Sequence, residues 1–107
     1  MTKPVPFDEI LAALAEPVRR RILDAIADRG EVTATVLTQS FDISRQGIMK
    51  HLAVLERAEL VTSRRAGREV LYRIAPDHLG ETARWLGGLA DRWGHRLEMI
   101  RKIAEET

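Results

Sequence analysis

Two helical segments separated by only a few residues constrain this chain more than any other feature of its sequence. The second segment begins at Ser44, a good N-cap because its hydroxyl can accept from the free N–H groups of a first helical turn. Behind it the apolar residues recur at steps of three and four, as on one face of an α-helix. These residues are Ile48, Leu52, Leu55 and Ala58. One face of this helix is therefore predicted to pack against a core.

The opposite face of the same segment is polar and holds no acidic side chain near its start. It carries Arg45, Gln46, Met49 and Lys50. A helix enters the DNA major groove with its first turns, where long donors read base edges or hold phosphates. By itself the pattern fits a DNA-recognition helix or a solvated face on a small bundle.

The preceding segment completes a two-helix unit. Thr33 is a second N-cap candidate, and residues 34–40 form a short helix after it. Only about residues 41–43 join the two helices, and so tight a connection is typical of a helix-turn-helix. Residues 33–58 are therefore predicted to form one, with its first helix crossing the DNA backbone and its second helix in the groove.

Two further helices precede this unit. Residues 7–14 form the first, and residues 17–29 form the second, with proline favoured at its first position and Gly30 as its stop. The second helix carries a basic triplet at residues 19–21, which helical geometry spreads over about 200°. The triplet is expected to be solvated. Its expected acidic partners are Glu16, Asp24 and Asp28.

Residues 61–75 change from a helical to an alternating period. Two strands, at 62–65 and 68–74, are predicted with Gly67 in the turn between them. The basic residues near the tip stand where a protruding loop reaches phosphates or a minor groove. They are Arg64, Arg65 and Arg68. A basic hairpin after a helix-turn-helix is the winged-helix arrangement, so the expected fold is mainly α, with about five helices and a two-stranded wing.

Residues 77–105 predict one long final helix. Its apolar residues alternate at steps of four and three, which is the heptad seam of a helix that pairs with another. Because no later element covers both flanks, one flank is expected on the domain and the other on a second subunit. Phe7 fits either the core or that contact. The predicted interface residues are Phe7, Ile10, Leu79, Leu86, Leu89, Trp93, Leu97 and Ile100.

Composition narrows the function classes. The 107 residues suit one domain, 1–107, and the net charge is only +1. Residues 44–73, however, hold 7 basic and 3 acidic side chains, a local excess that attracts a polyanion. There is no cysteine, no apolar run long enough for a membrane span and no phosphate-loop or nucleophile motif. We expect no enzyme activity, no cofactor, no membrane contact and a cytoplasmic location at the nucleoid.

At this point the chain resembles the ArsR family of bacterial winged-helix repressors. The resemblance rests on LAEPVRRRIL (14–23), SRQGIMKHLAVLERAELV (44–61) and GREVLYRI (67–74), and residues 85–100 are similar to a metal-free subgroup. It implies a homodimer that binds an operator in double-stranded DNA. The first and last helices would form its interface. The residues expected at the DNA are Thr33, Ser44, Arg45, Gln46, Met49, Lys50, His51, Arg64, Arg65 and Arg68.

Several positions depart from the family pattern or leave alternatives open. Glu59 stands where many relatives have glycine, Gly47 where alanine is more usual, and Met49 where a small polar residue is common. His51 fits either a phosphate contact or a buttress of the turn. The glycine at 47 weakens the helix but would let the backbone lie close to DNA.

The family's metal sensors use cysteines, which are absent here, or a set completed by a His-x-x-Glu pair in the last helix. His95 and Glu98 match that pair, but the upstream positions hold Thr82 and Arg84, which cannot supply the set. Metal regulation is therefore not expected, and no inducer can be identified. An alternative function is a winged-helix protein-interaction module that uses its apolar last helix without sequence-specific DNA binding.

Overall fold

The computed structural model describes residues 7–106 as five α-helices and one two-stranded antiparallel sheet. In chain order these are α1 (Phe7–Ala15), α2 (Pro17–Arg29), α3 (Ala34–Ser40), α4 (Arg45–Arg57), β1 (Val61–Ala66), β2 (Glu69–Ile74) and α5 (Pro76–Glu106). The predicted fold class, a mainly helical winged helix-turn-helix with a long C-terminal helix, is confirmed.

Local chemistry sets the helix boundaries in the first half of the chain. The hydroxyls of Thr33 and Ser44 each accept from the backbone N–H three residues on, at 3.2 and 3.1 Å. Gly30 ends α2 with a φ of 82°, a conformation that costs glycine little. These three predicted caps are confirmed, and they leave only residues 41–44 between α3 and α4.

One apolar core lies between α1, α2, α3, α4 and the root of the hairpin. Its largest fully buried side chains are Ile22, Ile26, Leu37, Ile48, Leu52, Leu55, Leu60 and Val61. Three of them belong to the predicted apolar face of α4, and burying a side chain of this size contributes about 1.5–3 kcal/mol. The rotation of α4 about its own axis is therefore fixed by the core.

Among residues 7–106 the basic triplet of α2 forms no ion pair with an acidic side chain, so that expectation was wrong. Arg19 donates to the carbonyls of Ala13 at 2.7 Å and Ala12 at 3.1 Å, and Arg20 donates to the carbonyl of Leu14 at 2.6 Å. The last carbonyls of a helix have no partner within the helix. The two arginines supply those partners for α1, which has no basic residue in its own last turn.

The third arginine of the triplet has a different partner. The guanidinium of Arg21 lies 5.1 Å from the ring centre of Phe41, within the range of a cation–π contact. Phe41 is the C-cap of α3. The triplet thus ties α2 to the end of α1 on one side and to the end of α3 on the other.

The end of α4 is a Schellman motif with glutamate in the position usually taken by glycine. Leu60 donates to the carbonyl of Leu55 and Glu59 to that of Glu56, both at 2.9 Å. Glu59 has a φ of 57°, which its Cβ disfavours. Its carboxylate lies 2.6 Å from Nε2 of His78 in the first turn of α5. The glutamate at position 59, where many relatives have glycine, therefore makes a contact between the turn after α4 and the start of α5.

Helix α5 packs on the domain only through its first half. The rings of Phe7 and Trp85 meet edge to face, with centroids 4.9 Å apart and an interplanar angle of 63°. Thr82 is buried and donates to the carbonyl of His78 at 2.8 Å. From Ala90 to Glu106 every side chain is exposed within the protomer.

Comparing two substitutions at Glu59 tests the strained end of α4. We expect Glu59→Gly to be more stable than Glu59→Ala by about 0.5–1 kcal/mol, because only alanine keeps the Cβ that disfavours a positive φ. Both variants lose the His78 contact, so their difference reports the backbone alone. Urea denaturation measures it. Equal transition midpoints would show that residue 59 is not left-handed in solution.

Candidate nucleic-acid interface

The exposed side of α4 presents the polar residues that the sequence singled out. Arg45, Gln46, Met49 and Lys50 are all exposed, while the opposite face of the helix is buried. Positions i, i+1, i+4 and i+5 lie on one side of a helix, so these side chains form a single surface. We call this set of four residues the α4 donor face.

The donor face is tied to the helix before it. Nη1 of Arg45 donates to Oγ1 of Thr35 in the first turn of α3, at 2.6 Å. This contact aligns the guanidinium beside the starts of both helices of the helix-turn-helix. Since Thr35 is exposed and its hydroxyl has a second lone pair, it also adds a polar group to the same surface.

A groove runs between α3, the first turns of α4 and the wing. Its lining includes Thr33, Thr35, Gln39, Arg45, Met49, Arg68, Val70 and Tyr72. Thr33 is half-buried and its oxygen caps α3, whereas Ser44, which caps α4, is exposed. The structure thus brings the helix-turn-helix and the wing together along one concave surface.

The glycine at position 47 is explained by packing within the turn. A Cβ on Gly47 would lie 2.7 Å from Cγ2 of Ile43, closer than real Cβ atoms approach, and 3.4 Å from the Ser44 hydroxyl. Because Cγ2 is a branch atom next to the backbone, it cannot easily move aside. The side chain of Ile43 is therefore enough to explain glycine at position 47, and a close approach of the backbone to DNA is not needed to explain it.

His51 contacts the protein rather than open solvent. Its Nδ1 lies 3.4 Å from Nη1 of Arg19, the arginine that also caps α1. Nδ1 accepts this hydrogen bond when the ring proton is on Nε2. Of the two interpretations left open by the sequence, this geometry favours the buttress.

The wing is positioned by more than its own two strands. β1 and β2 pair in antiparallel register from Val61 opposite Ile74 to Ala66 opposite Glu69. Gly67 in the turn has a φ of 65°. Val32, just before α3, exchanges two backbone hydrogen bonds with Tyr72, at 3.0 and 2.8 Å.

The three wing arginines are not equivalent. Arg64 is held by Glu31 through two hydrogen bonds of 2.7 and 3.0 Å. These hydrogen bonds hold the pKa of Glu31 below its usual range and raise the pKa of Arg64. Within residues 7–106, no carboxylate forms an ion pair with Arg65 or Arg68.

The residues predicted for a subunit interface fall into three groups. Ile10 is only 2% exposed and belongs to the core of the protomer, which corrects its assignment to the interface. Phe7, Leu79 and Leu89 are half-buried. The remaining four predicted residues are exposed: Leu86, Trp93, Leu97 and Ile100. They and their exposed neighbours Met99 and Ile103 are called the α5 strip below.

His95, the α5 histidine that matches half of the family's metal site, is exposed. Glu98, its expected co-ligand, receives a hydrogen bond from Arg101 at 2.6 Å. Across residues 7–106 no group of three or more potential ligand side chains is arranged to hold a metal ion. In the same part of the chain, no helix is long and apolar enough to span a membrane.

Several important contacts are not indicated by the sequence pattern. Glu31, Thr35 and Val32 each hold part of the surface in place through a residue more than nine positions away. Periodicity reports which face of an element is buried and says nothing about such pairs. The one available signal was the β-branched Val32 between a helix stop and a helix cap, which suits a short extended segment.

The fold and this surface define a winged-helix DNA-binding protein, and comparison with known proteins identifies its family. Residues 14–64 match the family described as "Helix-turn-helix domain". The chain is 30% identical over 80 residues to the transcriptional repressor SdpR of Bacillus subtilis (strain 168), an alignment that covers 75% of this chain and 88% of SdpR.

Solved structures agree. An ArsR-like transcriptional regulator from Rhodococcus sp. RHA1 is similar with a TM-score of 0.79 and 37% identity, covering 94% of this chain and 91% of that one. The homodimeric winged helix-turn-helix DNA-binding domain of Mb0332 from Mycobacterium bovis is also similar. Its TM-score is 0.64 at 27% identity, and the match covers 78% of this chain and 77% of that one. The chain belongs to the ArsR family of winged helix-turn-helix transcriptional regulators. It is a DNA-binding regulator of transcription, and this fold and family are not those of enzymes.

Proposed function

We propose that this chain is a homodimeric repressor that binds an operator in double-stranded DNA, in the cytoplasm at the nucleoid. The α4 donor face carries the proposal, because it combines exposed donors with a buried opposite face and lies beside the wing. SdpR, a relative aligned with this chain over 88% of its own length, is a transcriptional repressor. In the proposed complex α4 lies in the major groove of the operator and the wing contacts the flanking DNA backbone.

The residues of the donor face take different roles. Arg45 and Gln46, in the first turn of α4, are the base readers, and Met49 offers an apolar contact to a base beside them. Lys50 and the exposed Ser44 hydroxyl hold phosphates, which position the protein without reading sequence. Thr33 and His51, whose polar atoms contact the protein, support this surface from behind.

Substitutions at the two ends of α4 test this docking. Arg45→Ala should cost about 1–3 kcal/mol on the operator and blur discrimination at one base pair, whereas Lys50→Ala should weaken all sequences alike. Arg57→Ala, at the far end of the same helix, is the matched control and should leave discrimination unchanged. Binding of each variant to a duplex selected by the wild-type protein from random sequences measures this. An Arg45→Ala protein with wild-type affinity and specificity would refute the docking.

A second copy of the chain is the proposed cover of the α5 strip. Its large apolar side chains are 46–62% exposed in the protomer. Leu86, Trp93, Leu97 and Ile100 follow the heptad spacing that pairs helices, and Met99 and Ile103 widen that seam. Phe7, packed on Trp85, extends the surface toward α1. The relative Mb0332 is homodimeric and shares this architecture.

Introducing a charge into the strip should dissociate the dimer. We expect Trp93→Glu to sediment as a monomer and to lose operator affinity at least tenfold, about 1.4 kcal/mol, because a lone subunit reaches one half-site only. His95→Glu introduces the same charge about 200° around the helix from Trp93, outside the heptad positions, and should remain dimeric. A dimeric Trp93→Glu protein would place the interface elsewhere. A monomer with full affinity would refute the need for a dimer.

Metal does not regulate this protein in our proposal. The support is the chemistry of the side chains that would have to bind the metal. The Thr82 hydroxyl is buried and donates to a carbonyl of its own helix, and the Glu98 carboxylate accepts a hydrogen bond from Arg101. Zinc added at sub-micromolar concentration to the DNA complex should leave it intact, as measured by fluorescence anisotropy of labelled duplex. Release of DNA by stoichiometric zinc, abolished in His95→Ala, would contradict this.

A further inference from the structure

The pairing of Glu31 with Arg64 joins the wing to a distant part of the chain. Glu31 lies in the connection between α2 and α3, and it accepts from Nε and Nη2 of Arg64 on β1 at 2.7 and 3.0 Å. A two-bond guanidinium–carboxylate contact fixes both distance and orientation. Both side chains are partly exposed, so the pair adds little to global stability and its effect is local.

The backbone register places Glu31 on the right face to make this contact. Val32 pairs in antiparallel fashion with Tyr72, so residue 31 lies opposite Arg73. Side chains alternate along a strand, and Glu31 therefore projects from the face opposite to Tyr72. Arg64, which pairs with Leu71, projects from the same face as Glu31. The carboxylate thus reaches across β2 to hold β1.

The other two wing arginines are placed differently. Arg65 pairs with Val70, which puts it on the face of the hairpin that also carries Tyr72. Val70 and Arg68 line the groove beside the first turns of α4. Neither Arg65 nor Arg68 forms an ion pair with any residue from 7 to 106. Their charges remain available to phosphates on the side where α4 meets DNA.

We propose that Glu31 and Arg64 form a latch that sets the angle of the wing against the helix-turn-helix, and that Arg65 and Arg68 alone supply the wing's phosphate contacts. An isolated two-stranded hairpin is marginal in water, so its orientation needs an external tie. The Val32–Tyr72 bridge ties the hairpin backbone, and the latch adds a side-chain tie beside it, at the connection leading directly into α3. This inference rests on the proposed docking of the wing on DNA, and it replaces the expectation that all three arginines contact phosphates.

The salt dependence of DNA binding separates a positioning pair from a phosphate contact. The double variant Glu31→Gln/Arg64→Gln removes the latch without changing net charge, and Arg65→Gln and Arg68→Gln are the matched single variants. Each is titrated against a mixed-sequence duplex over a range of sodium chloride concentrations. Losing one phosphate contact should lower the log–log slope by about 0.9 in each single variant. The latch variant should keep the wild-type slope while binding a few-fold more weakly.

Amide hydrogen exchange on the free protein tests the latch without DNA. Exchange in the wing, residues 62–74, should accelerate to the same extent in Glu31→Gln, in Arg64→Gln and in the double variant, because either substitution breaks the same contact. Exchange in α2 and α4 should not change. Arg65→Gln should leave the wing amides at their wild-type rates.

The outcomes distinguish the latch from the docking on which it rests. A slope reduced as much in the double variant as in Arg65→Gln would make Arg64 a phosphate contact and overturn the latch. Unchanged wing exchange in the double variant would overturn it as well. If instead Arg65→Gln and Arg68→Gln both keep the wild-type slope, the wing does not touch DNA. That result refutes the proposed docking, and hydrogen exchange alone then decides the latch.

Discussion

The burial of one face of α4 determines what this protein can present to DNA. Ile48, Leu52 and Leu55 are at most 1% exposed, and a rotation of the helix by a single residue, about 100°, would bring them into water. With that face fixed, Arg45 and its neighbours have only one direction to point. The Schellman turn that ends α4 sends Leu60 and Val61 into the same core, so the wing starts from an equally fixed point.

The arginines of α2 show why a basic residue is not by itself a sign of nucleic acid. Arg19 and Arg20 donate hydrogen bonds to the last carbonyls of α1, and Arg19 also contacts His51 on α4. One guanidinium thereby joins three helices. A hydrogen bond from a charged donor to a carbonyl is stronger than one from a neutral donor. In this chain the triplet is part of the scaffold of the donor face.

Much of the fold could be predicted from sequence because it depends on local rules. Caps at Thr33 and Ser44, the stop at Gly30 and the period change after α4 each act within a few residues. The contacts that the sequence did not predict all involve distant partners. Ile10 has the spacing of an interface residue, but α1 turns it into the core, and Arg64 resembles its basic neighbours until Glu31 is placed across β2. Which of two exposed-looking residues finds a partner is decided by packing that periodicity does not encode.

The joint between α4 and α5 connects the helix proposed to read the operator with the helix proposed to form the dimer. Ala75, just before α5, donates to the carbonyl of Leu60 at 3.0 Å, and His78 contacts Glu59 at 2.6 Å. The first turn of α5 is thus bonded to the last residues of the α4 turn. In the proposed dimer the α5 strips of the two subunits pair. Because the joint is short, the angle at which the two α5 helices cross sets the distance between the two α4 helices. Half-sites lie one helical turn, about 34–36 Å, apart, so any influence on the α5 pairing acts on DNA affinity through this joint.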